Sequence, residues 1–404
     1  MNLRIAFFVV CLTATAAGWQ QAPRAKPETI GLSAAQLREA SDLLKRFVAE
    51  ERIAGAVAAV ARHGQIGYLE AVGVQDLQTR VPMTERSLFR IYSMTRPVTA
   101  VAVMMLHEEK RFDLDDAVAK YIPEFGKVMV AGATGAPPRG AVRPITVRDL
   151  LLHTSGLSAR TSEIYRREQV RSRTITMAQF IANLVRVPLM EDPGTRYRYS
   201  EGTSVLGRPV ELWSGQTFEA FLDERIFRPL RMTDTMFWAA TPDQRARLAT
   251  VYGPAPAGGL TPVETETLPF TERPTLIEGA VGLLSTVPDY VRFSQMLLNK
   301  GQLDGVRLLA PSTVEMMTRN GLSEAVQQTR GGSTGWGLAN VQVVLDSAGP
   351  DAAVGEYGWD GTAGTIFWID PRKNLLAVLM TQSSPANPDQ IRQRFKEIVQ
   401  RAAN

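Results

Sequence analysis

Strand-forming runs stand at both ends of this chain, and helical patterns fill most of what lies between. Residues 54–62 and 65–73 are β-rich and meet at His63-Gly64, a hairpin signal. Near the other end, Trp336–Leu345, Gly364–Ile369 and Leu375–Thr381 alternate or run apolar, with Asp370–Asn374 as a tight turn between the last two. Helical spacing marks Thr146–Leu152, Met177–Val187, Gly202–Ser214, Thr217–Ile226, Val287–Asn299 and Pro311–Thr318. Residues 32–50 are helical with Ser33 as their cap, and Asn387–Arg401 is a closing helix. Stretches 126–144 and 253–275 are rich in Gly and Pro and read as surface loops. Together these patterns predict an α/β (α+β) bilobed fold, in which an antiparallel sheet built from both chain ends is flanked by helices and carries an inserted, mainly helical lobe. The expected division places the sheet lobe at about 31–92 and 276–404 and the helical lobe at about 93–275.

Composition narrows the partners. With 404 residues, 45% hydrophobic and 21% charged, the chain can bury a large core. A net charge of +4 without any basic block argues against nucleic acid. No run approaches the roughly 18–20 apolar residues of a membrane span. Arg4, the apolar stretch Ile5–Leu12 and the small residues Ala14-Thr15-Ala16 read as a signal peptide over 1–16, followed by a linker over 17–30. The alternative there is a short buried helix, and lipid anchoring at Cys11 is a weaker option. Cys11 is the only cysteine, so a processed chain has neither disulfides nor a thiol nucleophile. Export to the periplasm or the medium is the expectation.

Ser93-Met94-Thr95-Arg96 precedes Pro97 and the apolar run Val98–Leu106, a buried helix by its pattern. A serine at such a start has backbone N–H groups without intrahelical partners and the positive end of the helix dipole beside it. Both favour negative charge developing on an attacked carbonyl. Three residues on, Arg96 shares its face. Arginine cannot surrender its proton, because its pKa stays above roughly 12. The plain alternative is an N-cap serine followed by a solvated arginine.

Three further segments bear on the choice. They are Leu150–Leu157 (LLLHTSGL), Pro193–Ser200 (PGTRYRYS) with Val205–Arg208, and Gly358–Thr365 (GWDGTAGT) ahead of Phe367–Pro371. In this order and spacing, with Ser93–Arg96, they resemble the β-lactamase-related family of serine hydrolases, which includes class C β-lactamases, D-alanyl peptidases and family VIII carboxylesterases. The likeness runs from about Gly55 to Gln382 and implies a β-lactamase-like fold. It also implies that Ser93 is the acylated nucleophile, that Arg96 stands where the family has its general-base lysine, and that Tyr199 relays protons. The N–H groups of Ser93 and Thr362 would form the oxyanion hole. Trp359-Asp360-Gly361 falls on the strand that edges the substrate, where β-lactamases have Lys-Thr-Gly.

The departures from that pattern carry their own implications. Trp359 replaces a cation and Asp360 adds an anion, which argues against acidic substrates and for small neutral esters. Glu201 stands in place of an asparagine and makes one substrate contact altered or lost. Two routes stay open at Arg96. Either its fixed charge favours the Tyr199 phenolate, which then takes the serine proton, or it pairs with Asp360 or Glu201 and leaves a catalytically degenerate binding protein.

Other chemistries find less support. Gly331–Gly335 spells Gly-x-Ser-x-Gly, but all three histidines (His63, His107, His153) precede it, and neither strand nor helix flanks it in the required order. No histidine has metal-ligand spacing, and no Gly-rich phosphate loop opens a helix, so neither metal nor nucleotide cofactor is expected.

Overall fold

A computed structural model of the chain describes residues 23–133, 136–349 and 352–404. The leader expected over 1–16 lies outside the described residues. A seven-stranded sheet organises the molecule: β1 Gly55–Arg62, β2 Gln65–Gly73, β3 Thr334–Gly337, β4 Val341–Val344, β5 Tyr357–Gly361, β6 Thr365–Asp370 and β7 Leu375–Thr381. Their spatial order is β3-β4-β5-β6-β7-β1-β2, and every neighbouring pair is antiparallel. Strands from both chain ends therefore meet at the β7–β1 pair, in register Ala58↔Leu379.

The principal helices are α1 Ala34–Ala49, α2 Thr95–Glu108, α3 Val147–Leu152, α4 Met177–Arg186, α5 Gly207–Ser214, α6 Val287–Leu298 and α7 Ile391–Ala402. The composition of β1 explains why it is central. Val57, Ala59 and Ala61 enter one core, while Ala56, Ala58 and Val60 enter another on the opposite face. A strand buried on both sides reads as a continuous apolar run, as this one does. One face is covered by α1 (Leu37, Leu44, Phe47) and α7 (Phe395, Val399). Each such side chain, fully buried, contributes about 1.5–3 kcal/mol. The other face packs on α2, α6 and the inserted helical region, sharing the larger core.

Local signals were legible at the turns and caps. His63 and Gly64 take φ of 53° and 76°, the two positive values that a two-residue hairpin matched to strand twist requires. Ser33 accepts the Gln36 N–H to open α1, and Thr146 opens α3 with a full capping box through Asp149. Residues 23–25 lie along β2, with Ala25 N–H on the Ile66 carbonyl at 3.0 Å.

Some expected elements are divided. Gly202–Ser214 is not one helix, because a short piece (Gly202–Val205) ends at Leu206 before α5 begins. Pro209 has no N–H to give the Val205 carbonyl, which removes a bond a continuous helix would need. Likewise Trp336–Leu345 is two strands, since Asn340 at φ 56° closes a turn on Gly337 (N–H to carbonyl, 3.0 Å). Among the described residues no helix is long and apolar enough to cross a membrane.

Candidate active site

Ser93 sits in a single 3-10 turn, Tyr92–Met94, between the short strand Phe89–Arg90 and α2. Tyr92 holds φ +42°, a conformation that costs a residue with a side chain on the order of 1–3 kcal/mol. It is held there by its hydroxyl on Thr265 Oγ1 (2.5 Å) and by its ring, edge-on to Phe270 at 5.9 Å. The strained bend lies immediately before the candidate nucleophile, which is nearly buried at 7% exposure.

Arg96, one helical turn on, is 1% exposed. Its Nη1 donates to the Ser200 carbonyl (3.0 Å) and to Thr203 Oγ1 (2.9 Å). The Thr203 hydroxyl donates in turn to Asn340 Oδ1 (2.7 Å), and Asn340 Nδ2 donates to the Leu151 carbonyl (3.0 Å), which also receives Trp336 Nε1 (3.2 Å). A guanidinium this deep needs such a network, because burying it unpaired costs several kcal/mol. Among the described residues it makes no salt bridge to Asp360 or Glu201, so the pairing considered for those carboxylates is absent.

The guanidinium instead covers the Tyr199 ring, with Cζ 4.4 Å from the ring centroid. Around that ring stand His153 (4.7 Å between centroids), Trp359 (5.3 Å) and Trp336 (6.0 Å). Trp359 Nε1 donates to the Tyr199 hydroxyl at 3.1 Å, and the indole packs edge-on against Trp336 at 4.5 Å. The strand-edge tryptophan is thus tied to the tyrosine by both ring contact and hydrogen bond.

His153 closes α3 in the left-handed region (φ 57°) and is fully buried. Its Nδ1 accepts the Ser200 N–H at 3.3 Å, which assigns the ring proton to Nε2. Burial, and after it the Arg96 cation, holds the imidazole well below its usual pKa, so the ring is neutral. It packs on Tyr199 and shapes the backbone that carries it. His63 lies in the β1–β2 turn, and His107 Nδ1 is 3.3 Å from the Phe112 carbonyl.

The end of β5 approaches the nucleophile turn closely. A Cβ on Gly361 would lie 2.4 Å from the Ile91 carbonyl oxygen, so no side chain fits there. Thr362 follows, exposed, in the turn to β6. The nucleophile turn, Arg96, Tyr199, Trp359 and the Gly361–Thr362 peptide therefore lie around the end of β5.

Two expected substrate contacts are not gathered with them. Asp360 alternates with Trp359 along β5 and pairs with Arg392 of α7 at 3.0 Å. Glu201 is 0% exposed and takes the Ser204 hydroxyl, while its Oε1 has no hydrogen-bond partner among the described residues. It forms part of the wall of a cavity of about 830 Å³ that Arg160, Tyr165, Arg171, Thr265 and Glu266 also line. Charges there are compensated internally: Arg171 bonds Glu266 (2.9 Å) and Glu278 (2.5 Å), and Arg160 bonds Glu266 (3.1 Å).

Several of these groups had no signature in the sequence. Thr203, Asn340, Trp336 and Arg392 fall in none of the motifs and reach the site only through folding. One signal was there to use. The two-residue period of β5 separates Trp359 from Asp360. The Gly331–Gly335 pattern lies between a helix (Glu324–Arg330) and a strand, the reverse of the order its chemistry needs.

Comparison with known proteins places the chain in context. The Beta-lactamase family model matches residues 40–400. Protein Rv1367c of Mycobacterium tuberculosis (strain ATCC 25618 / H37Rv) is 34% identical, over 82% of this chain and 86% of that protein. Esterase EstB of Burkholderia gladioli is 30% identical, over 89% of this chain and 93% of that protein. Among solved structures, EstCE1, described as a hydrolase with promiscuous acyltransferase activity, superposes with a TM-score of 0.76 at 26% identity, covering 90% of this chain and 98% of that one.

Proposed function

The chain belongs to the Beta-lactamase family, and from that premise and the geometry of its site we propose an exported serine hydrolase that cleaves small neutral esters through an acyl intermediate on Ser93. The observation that carries this reading is the setting of Tyr199, with its oxygen on Trp359 Nε1 (3.1 Å) and the Arg96 guanidinium over its ring (4.4 Å). Acting as phenolate, Tyr199 removes the Ser93 hydroxyl proton while the serine oxygen attacks the ester carbonyl. The displaced electron pair collects on the carbonyl oxygen, within reach of the Ser93 and Thr362 N–H groups. Collapse breaks the bond to the alcohol oxygen, which leaves with the proton that Tyr199 holds. Water then repeats the sequence on acyl-Ser93, the carboxylic acid departs, and serine and phenolate are restored.

Arg96 in this scheme never moves a proton. It keeps a fixed positive charge over the ring of the residue that takes and returns the proton. Neutral substrates are supported by Trp359 at the strand edge and by the pairing of Arg392 with Asp360, which leaves that cation already engaged. The name of the similar EstB supports esters over amides. Export rests on the leader pattern in residues 1–16.

The test is a short-chain aryl ester together with a fluorophosphonate probe. The expected result is a burst of one equivalent of phenol per protein and a covalent label on Ser93, both lost in Ser93→Ala. Absence of any label from about pH 6 to pH 10 overturns the reading. A silent wild type that gains turnover in Arg96→Lys identifies a binding protein on the same scaffold, and rapid hydrolysis of a chromogenic cephalosporin identifies amide chemistry instead.

A further inference from the structure

The peptide joining Gly361 to Thr362 is bonded on one side only. Its carbonyl oxygen accepts the Gly364 N–H at 3.1 Å and Nη2 of Arg392. Its N–H, on exposed Thr362, meets no acceptor among the described residues. The peptide is trans, so its C=O and N–H point in opposite directions within one plane. Arg392 therefore stands behind the group whose N–H is free in front. The arginine is buried at 7% exposure, sits in the first turn of α7, and is oriented by Asp360 Oδ2 on Nη1 at 3.0 Å.

We infer that Arg392 is a positioning residue for the oxyanion hole, acting through the Gly361–Thr362 peptide; this rests on the acyl-serine reading above. Two physical effects follow from the one contact. A charge-assisted bond to a carbonyl draws electron density from the amide and makes its N–H a stronger donor. The same bond holds the peptide plane. Glycine resists rotation of its flanking peptides less than any other residue, and a flipped plane would turn the carbonyl, not the N–H, toward the reacting oxygen. Gly361 cannot be replaced by a stiffer residue, because Ile91 occupies the space a Cβ would need. The lock has to come from outside the strand, and α7 supplies it. Asp360 then serves by orienting the guanidinium and not by touching substrate.

The experiment compares wild type with Arg392→Gln, Arg392→Lys and Asp360→Asn. It measures acylation rate and KM with the aryl ester, affinity for an aryl boronic acid, and thermal melting. The boronic acid adds Ser93 to give a tetrahedral anion, so it reports on the oxyanion site directly. Arg392→Gln is expected to slow acylation on the order of tenfold to a hundredfold and to weaken boronate binding by a similar factor, with KM within about twofold. Arg392→Lys keeps the charge but reaches only one of the two acceptors, and about a threefold to tenfold loss on the same pattern is expected. Asp360→Asn, at a half-exposed position, should fold normally and lose several-fold in both readouts.

Rates and boronate affinities within twofold of wild type overturn the inference, as does a rise in KM that accounts for the whole loss. If Arg392→Gln fails to fold, the lysine and asparagine variants decide on the same criteria. Failure of the wild type to label Ser93 overturns the serine-hydrolase reading itself, whereas a labelled wild type matched in rate by all three variants removes only the part given to Arg392.

Discussion

At Tyr199, five side chains decide what a single oxygen can do. The ring is enclosed by Arg96, His153, Trp336 and Trp359, with Tyr197 against the outer edge of His153 and Trp336. Tyr199→Phe removes the oxygen and leaves this packing, so its effect on stability should be small, about 1 kcal/mol for the lost partner of the Trp359 N–H. Its effect on turnover should be far larger, a fall in kcat of about 10²–10⁴, the range of a general base. Steady-state rates with the aryl ester, set beside a denaturant melt, check both halves. A loss of under threefold would mean that the serine proton leaves by another path. Tyr199 and Trp359 were readable because each belongs to a short motif. Thr203, which holds Arg96, and Asn340, which holds Thr203, lie in no motif and are far apart in sequence, and only the folded chain joins them.

The strand and helix elements were legible where local chemistry decides them and obscure where packing does. Caps, the β1–β2 turn and the doubly buried β1 follow from residue types within a few positions. The break at Leu206 and the turn at Asn340 depend on a missing proline N–H and a positive φ inside otherwise regular patterns, so period alone concealed them. Strand β5 combines both cases, since it pairs with β6 along its whole length while its end is set by contact with the nucleophile turn. Gly361→Ala tests that contact. The new methyl would stand 2.3 Å from Thr365 Oγ1 and 2.4 Å from the Ile91 carbonyl oxygen. The hydroxyl can rotate away, but a backbone oxygen cannot, so β5 and the Tyr92–Met94 turn must separate. A stability loss of about 1–3 kcal/mol is expected, with burst kinetics reduced more than melting temperature implies. A fully active Gly361→Ala protein would show that the strand end does not set the geometry at Ser93.

For the whole molecule, the sheet is the shared wall of two cores, and the site lies at the edge where the inserted helices meet it. The joining of both chain ends into that wall was legible from apolar runs, and the opposite facing of Trp359 and Asp360 was legible only from the two-residue period of β5. Stability of the entire fold reports on one site residue, because His153 is neutral and buried in the folded state and ordinary in the unfolded one. Its folded pKa is lowered, so below the unfolded value of about 6.5 the unfolded chain binds a proton that the folded chain refuses. The stability His153 contributes is complete above about pH 6.5 and is lost as the pH falls from there toward its folded pKa, by about 1.4 kcal/mol for each unit well below 6.5. His153→Asn keeps a residue that tolerates positive φ and removes the titration. Lost ring packing should make the variant less stable at pH 7.5, and the deficit should shrink by about 1.4 kcal/mol at pH 5.5, because only wild type is penalised there. Carboxylates titrate alike in both proteins and cancel in the difference. Urea midpoints at the two pH values measure it; an unchanged or larger deficit at pH 5.5 would mean that the imidazole takes up a proton in the folded site despite its burial.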